Sequence, residues 1–495
     1  MKNRMHWRSL WMMSLLAVVF TTASALHAAG KPNIIVFLAD DLGYGELGCY
    51  GQKKIKTPNL DQLAADGIRF TDFYAGHAVC APSRCVMLTG KHTGHSFVRE
   101  NSEGRAAQAE ERNRIKAEDG YLPQIALPAS ETTFASALQK SGYRTACVGK
   151  WGLGHPSNEG SPNKHGFDLF YGYISQWQAH YYYPTYLWRN DVKEPLEGND
   201  GKVGRQHAAD LMEQEALKFL ETNGDKPFFL YYATPVPHVS LQVPPDEPSL
   251  ADYQQAFAGQ DPPYDGKKSY LPTENPRAIY AAMVTRMDRT MGKFRELLKR
   301  IGKEKDTIIV FTSDNGATFN GGYDREFFGG NQPLRGMKTQ LWDGGIRTPF
   351  IAAWPGSIQP GQVSKFAGAS WDLFPTFAEI VGFPAPSGLD GVSILPTLKS
   401  DAAAQKQHDH LYWETVAGGN QAVRMGPWKG IRLGVSKNPS APVQLYHLET
   451  DIAETTDVAA QHPDIVAKIA AIMSAGRVPS AEFPMGELDR PGLKP

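Results

Sequence analysis

Cysteine is scarce in this chain, and the scarcity limits what the protein can be. Only Cys49, Cys80, Cys85 and Cys147 occur among 495 residues, too few to staple a scaffold, so the fold must rest on a hydrophobic core. Cys80 and Cys85 are too close along the chain to bridge across a helical turn, and no essential disulfide framework is expected. An excess of charge of one sign is missing too. Lysine and arginine total 51 against 52 acidic residues, a net formal charge of −1. That balance argues against nucleic acid as a partner and leaves any positive field local to a pocket. There are no internal repeats and no long low-complexity linker. The apolar run from Leu10 to Phe20 follows Lys2, Arg4 and Arg8 and leads to Ala23-Ser24-Ala25 and Ala28-Ala29. This is the build of a secretory signal peptide, assigned to residues 1–29, with an apolar part too short for a membrane span. The mature chain is therefore expected to be exported, periplasmic or secreted, with no stable membrane insertion.

What is present is a set of apolar strands that end in polar residues. Asn33-Ile34-Ile35-Val36-Phe37-Leu38-Ala39 is a continuous apolar run, read as a parallel strand buried on both faces, and it ends in Asp40-Asp41. Thr307–Thr312 repeats the design and ends in Ser313-Asp314-Asn315-Gly316. Taken singly, each acidic pair reads as a turn or helix cap. Adjacent carboxylates at a strand end repel unless a cation holds them. Three carboxylates and an amide oxygen form an all-oxygen set that suits Ca²⁺ or Mg²⁺ and argues against zinc. Between the two pairs lies Cys80-Ala81-Pro82-Ser83-Arg84, at the start of a helix; by itself such a cysteine reads as a packed thiol. Arg84 falls one turn beyond Cys80. The strand Arg144–Gly149 leads to Lys150 in Gly149-Lys150-Trp151-Gly152-Leu153-Gly154, and Phe228–Ala233 leads to Pro235-Val236-Pro237-His238. Lys338 closes Leu334–Lys338, followed by Trp342-Asp343-Gly344-Gly345-Ile346-Arg347-Thr348-Pro349.

Helical patterns around Asn59–Asp66, Thr132–Lys140, His207–Thr222, Ala278–Ile301 and Trp371–Val381 alternate with these strands. The alternation predicts an α/β fold, a large, mostly parallel sheet sandwiched by helices, with the site at the carboxyl ends of the strands. Shorter runs after Asp409 predict a small C-terminal antiparallel α+β subdomain, giving a catalytic domain over 30–405 and a subdomain over 406–495. The charged stretch Arg99–Glu118 is expected to be an exposed insertion near the pocket mouth.

Cys80–Arg84 fits the Cys-x-Pro-x-Arg signature of sulfatases, and the other motifs follow in that family's order, so the chain resembles a sulfatase over nearly all of its mature length. The resemblance implies an alkaline phosphatase-like sheet and a Cys80 oxidised to formylglycine by a maturation enzyme. Its hydrated aldehyde attacks sulfur beside one Ca²⁺ ion held by Asp40, Asp41, the modified Cys80, Asp314 and Asn315. Arg84, Lys150 and Lys338 then grip the sulfate, and His238 contacts it and protonates the leaving alkoxide. The chain departs from the family in one place. Many sulfatases read Gly-Lys-Trp-His-Leu-Gly, and Gly152 stands where that histidine would be. His155 and His180 are both available as substitutes; His180 is preferred, because relatives with the glycine often carry a similar Ala-His-x-Tyr-Tyr-Pro segment, although a histidine merely stacked in an aromatic loop is the competing reading. The aromatic segment Trp177–Trp188 reads either as loop packing or as a surface for sugar rings and aryl esters. His155, Trp177, Tyr182 and Arg189 are its candidate substrate-lining residues. The reading is an exported sulfatase acting on a sulfate ester, with a saccharide favoured. Two alternatives stay open: a phosphomonoester or phosphonate hydrolase of the same superfamily, and a catalytically silent sulfated-glycan binding protein.

Overall fold

The computed structural model describes residues 30–102, 109–222 and 224–490, so the segment 1–29, expected to be a signal peptide, lies outside the described residues. Ten strands form the main sheet. Their order is Gln362–Ser364, Ile68–Phe70, Phe350–Ala353, Thr307–Ser313, Asn33–Ala39, Phe228–Ala233, Arg144–Lys150, Leu169–Tyr173, Tyr186–Arg189 and Val192–Pro195. The central five, from Thr307–Ser313 to Leu169–Tyr173, run parallel. Antiparallel pairings enter toward both edges.

The central strand Asn33–Ala39 shows why its sequence is apolar throughout. Ile35 and Phe37 pack on one face with Met212, Phe219, Met287 and Phe294 from the helices Ala208–Glu221 and Pro276–Arg300. Ile34, Val36 and Leu38 pack on the other with Cys85, Leu88, Phe134 and Phe377 from the helices Cys80–Thr89, Phe134–Lys140 and Leu373–Val381. With both faces apolar, a one-residue slip would not be resisted by hydrophobic alternation. Asn33 supplies the missing register: its Nδ2 donates to Thr307 Oγ1 at 3.3 Å and its Oδ1 accepts from Phe228 N–H at 3.1 Å. One amide thus aligns three strands, and their carboxyl ends deliver Asp40, Asp314 and the His238 loop to one edge.

The helices fall where the patterns placed them, within two or three residues at each end. Thr133 caps the helix Phe134–Lys140 by accepting from Ser136 N–H at 3.0 Å. The C-terminal part is an antiparallel sheet of Leu411–Thr415, Asn420–Met425, Trp428–Arg432 and Val443–His447, followed by the helix Pro463–Ala475. From Pro32 onward the chain forms one compact unit. Two features bind the small sheet to the rest. An apolar cluster joins Tyr74, Val86, Leu341, Ile346 and Trp371 to Trp413, Ile431 and Tyr446. Beside it, fully buried Lys429 lies 2.7 Å from Asp343 Oδ1 and 3.4 Å from Glu454 Oε1, and Asp343 N–H donates to Glu454 Oε2 at 2.7 Å.

The charged stretch is exposed along its helix, as expected, but anchored at its start. Residues 103–108 lie outside the described residues, and the helix Ala109–Asp119 buries only Ile115. Arg99, however, is buried: its guanidinium bonds Glu414 at 3.0 Å and the Val478 carbonyl at 2.7 Å. Sequence charge alone hid this partner, which lies 315 residues away. Among the described residues no helix is long and apolar enough to cross a membrane.

Candidate active site

The helix Cys80–Thr89 starts directly below the carboxyl edge of the sheet. All ten of its residues are buried, so it is apolar or paired all round. Val79, extended at φ −144°, precedes it without a side-chain cap. The first turn therefore presents its partial positive charge toward Cys80 and whatever anion binds there. Asn101 Oδ1 takes the Ala81 N–H at 3.1 Å, a contact that no sequence signal announced.

Three carboxylates and three cations converge beside this turn. Arg84 donates to Asp314 Oδ2 through Nε at 3.1 Å and Nη2 at 2.8 Å, and its Nη1 donates to the Lys150 carbonyl at 2.6 Å. Lys150 Nζ lies 2.6 Å from Asp40 Oδ2, and Lys338 Nζ lies 2.7 Å from Asp41 Oδ2. Asp41 has φ +64°, a left-handed conformation that aspartate tolerates. It departs from strand geometry, in which successive side chains face opposite ways. Asn315 Nδ2 donates to Asp41 Oδ1 at 2.8 Å, and Asp314 Oδ1 accepts the Asp41 N–H at 3.1 Å.

The residues fit a hard divalent cation. Asp40 Oδ1 and Asn315 Oδ1 are buried acceptors with no hydrogen-bond partner, and buried oxygens left so are costly unless something electropositive faces them. Asp40, Asp41, Cys80 and His238 each offer a ligand atom within 4.8 Å of the others. Two of these atoms are carboxylate oxygens, and with the neighbouring Asp314 and Asn315 they form the hard oxygen set that suits Ca²⁺ or Mg²⁺.

The imidazoles adjoin the same cluster, with His238 Nε2 lying 3.4 Å from Asp41 Oδ2. His238 Nε2 lies 3.2 Å from Lys338 Nζ, while its Nδ1 bonds the Val239 carbonyl. The His180 ring stacks on His238, centroids 5.0 Å apart and planes 8° from parallel. Burial, followed by the charge of Lys338, holds His238 well below the usual imidazole range. Burial, then His238, Lys150 and Lys338, bring His180 down to about 2. Both rings are therefore neutral near pH 7, and an entering anion raises their basicity by offsetting the lysines. Burial pushes the Cys80 thiol up to about 12, so the unmodified side chain is not a thiolate and is a poor nucleophile.

The structure gathers Cys80, Arg84, Lys150, His180, His238, Lys338 and the four metal candidates into one site, and it redirects three of the proposed lining residues. His155 is held away by Asp119, with Nε2 to Oδ2 at 2.8 Å, and by Ser157 at 2.7 Å. Arg189 is consumed by Glu215, at 2.7 and 2.9 Å, and by Glu194. Tyr182 is fully buried and donates to the Pro235 and His238 carbonyls at 2.7 and 2.9 Å, so it supports the His238 loop and does not line a pocket. Trp177 remains 48% exposed, its ring 5.1 Å from His180. Tyr270, unnoticed in the sequence, sets its ring edge against His180 at 5.2 Å and His238 at 6.2 Å. All four cysteines are free.

Fold and site together define a hydrolase of anionic esters on an alkaline phosphatase-like sheet. The sulfatase family model matches residues 32–383, and a model described as the C-terminal part of N-sulphoglucosamine sulphohydrolase matches residues 337–475. The chain is 31% identical to N-acetylgalactosamine-6-sulfatase of Rattus norvegicus, over 94% of this chain and 84% of that protein. It is 31% identical to arylsulfatase A of Homo sapiens, over 83% and 77%. Among solved structures, Ps i-CgsB in complex with k-i-k-neocarrahexaose superposes with a TM-score of 0.73 at 27% identity, covering 92% of this chain and 94% of that one. The chain belongs to the sulfatase family and is a sulfuric ester hydrolase.

Proposed function

We propose that this protein is an exported sulfatase that removes sulfate from a carbohydrate, using formylglycine made from Cys80 and one Ca²⁺ ion. The observation that carries the reading is the convergence at the Cys80 helix turn of three cations and two unpartnered buried oxygens, Asp40 Oδ1 and Asn315 Oδ1. When in place, the ion and the modified residue supply a nucleophile at neutral pH; Asp40, Asp41, Asp314, Asn315 and residue 80 hold them. Arg84, Lys150 and Lys338 carry the positive charge that matches a sulfate group and the charge that grows on the bridging oxygen. His238 is oriented by its Nδ1 contact to Val239; once the bound sulfate offsets Lys338, Nε2 takes up a proton from water and passes it to the departing alkoxide. His180, stacked on it, takes the part of the imidazole absent at Gly152. Trp177, half exposed beside His180, offers a face for a sugar ring, and the carbohydrate-directed names of the relatives support that substrate class.

The partner implied is a maturation enzyme acting on Cys80, and export rests on the segment 1–29. Mass spectrometry of the peptide carrying residue 80 should find the aldehyde in place of the thiol; an unmodified thiol in active protein would refute the nucleophile. Kinetics on sulfate and phosphate esters of one alcohol should favour sulfate, and a clear phosphate preference would give the site to the phosphohydrolase reading.

A further inference from the structure

The space at Gly152 is not empty. Gly152 has φ +81°, and a Cβ placed on it would stand 1.6 Å from Nε2 of Gln176. The Gln176 carboxamide therefore fills the point from which a side chain at 152 would start. Gln176 is 1% exposed, and neither its Nε2 nor its Oε1 has a hydrogen-bond partner. A buried polar group left this way is costly, and nearly all such groups in folded proteins are satisfied. Burial does not separate it from a substrate, since Cys80, Lys150 and His238 are only 2%, 1% and 1% exposed. It adjoins the site through Gly152. Gly152 is two residues beyond Lys150 and donates its N–H to the Ile174 carbonyl at 3.1 Å. Gln176 itself immediately precedes the Trp177–His180 turn, whose last residue stacks on His238.

We propose that Gln176 binds the alcohol part of the substrate, through a ring hydroxyl next to the sulfate ester. The argument is one of complementarity. Sulfate oxygens only accept hydrogen bonds, so a sulfate would satisfy Nε2 and leave Oε1 bare; a cation would do the reverse. A hydroxyl both donates and accepts, and one hydroxyl or an adjacent pair answers both ends of the carboxamide. Arg84, Lys150 and Lys338 already supply charge for the sulfate, so a neutral amide adds little there. The substrate class is then an ester on a polyhydroxylated ring, which rests on the sulfatase reading above and narrows it.

The test is a double-mutant cycle between protein and substrate. Mature wild type and Gln176→Met, which keeps length and removes polarity, are assayed on the fastest substrate from a panel of galactose, N-acetylgalactosamine and glucosamine sulfates. The same pair is assayed on its deoxy analogue lacking the neighbouring hydroxyl, and on 4-nitrophenyl sulfate. Each single change should lower kcat/KM by roughly 10–100-fold, and the second change should add less than about threefold. The loss on 4-nitrophenyl sulfate should be at least roughly tenfold smaller than on the sugar. Melting of the free variant should not fall, because no hydrogen bond is removed from the free protein. Equal losses on aryl and sugar esters, or additive losses in the cycle, would overturn the assignment. If wild type hydrolyses no sulfate ester at all, the sulfatase reading falls and this inference with it; additive losses in an active enzyme remove only the role of Gln176.

Discussion

Gly152→Ala measures how firmly this backbone excludes the histidine of related chains. Two costs add. A residue other than glycine in the left-handed region costs about 1–2 kcal/mol. The new Cβ would also lie 1.6 Å from Gln176 Nε2, so the carboxamide must leave its place. It is the far end of a flexible side chain, but the surroundings are closed, and overpacking of this kind costs about 1–3 kcal/mol. The expected loss is about 2–5 kcal/mol. The compact unit starts at Pro32 and is described to Arg490, and at about 2.1 cal/mol/K per residue its unfolding entropy is near 1 kcal/mol/K. The melting temperature in scanning calorimetry should therefore drop by about 2–5 °C. Adding Gln176→Ala should recover the overlap part and leave the backbone part, about 1–2 °C. Gly152→His should be at least as unstable and should not raise kcat. A Gly152→Ala protein that melts with wild type would refute the reasoning, as would a double variant no better than the single.

Three further outcomes are expected. Exhaustive chelation should lower turnover and melting temperature together, and Ca²⁺ or Mg²⁺ should restore both; full activity in a verified metal-free sample would remove the metal from the site. His180→Ala should cut kcat by roughly two to four orders of magnitude, whereas His155→Ala, whose ring is tied to Asp119 and Ser157, should stay within about tenfold of wild type on the same scale; near-normal turnover of both variants in steady-state kinetics would leave His238 alone as the acid. His408 Nε2 lies 2.9 Å from Asp372 Oδ1; burial opposes its charge, but Asp372 outweighs burial and raises its pKa. A raised pKa means that the pair stabilises fully below about pH 6.5 and loses that contribution as pH rises through the folded value. Urea unfolding of His408→Gln should show a flatter stability profile from pH 6 to 8, and an unchanged profile would discount the pair.

The central strands were legible because burial on both faces forces a run such as Asn33–Ala39 to be apolar throughout. The acidic pairs were legible because hydrophobicity stops abruptly at Asp40 and Asp314. Other parts were set by distant partners. Arg189 and His155 look free in sequence, and their acidic neighbours Glu215 and Asp119 stand 26 and 36 residues away. The strands Tyr186–Arg189 and Val192–Pro195 carry charges and a proline, so no alternation marked them as part of the sheet. Gln176 and Tyr270 lie in segments without a period, and only the pairing of Gly152 with Ile174 and the stacking of the two histidines give them neighbours that matter.

The cluster that joins the C-terminal sheet to the main body has a temporal consequence. Every residue of the site, from Asp40 to Lys338, precedes Leu411 in the chain and so leaves the ribosome first. Val86 on the Cys80 helix, and Leu341 and Ile346 beyond Lys338, share a cluster with Tyr74 and Trp371 that is completed when Trp413, Ile431 and Tyr446 arrive. Lys429 then closes over Asp343 and Glu454 in a place where a lone carboxylate would be strongly disfavoured. A chain stopped near residue 405 would therefore hold every residue of the site while part of its apolar cover, Trp413, Ile431 and Tyr446, is still missing.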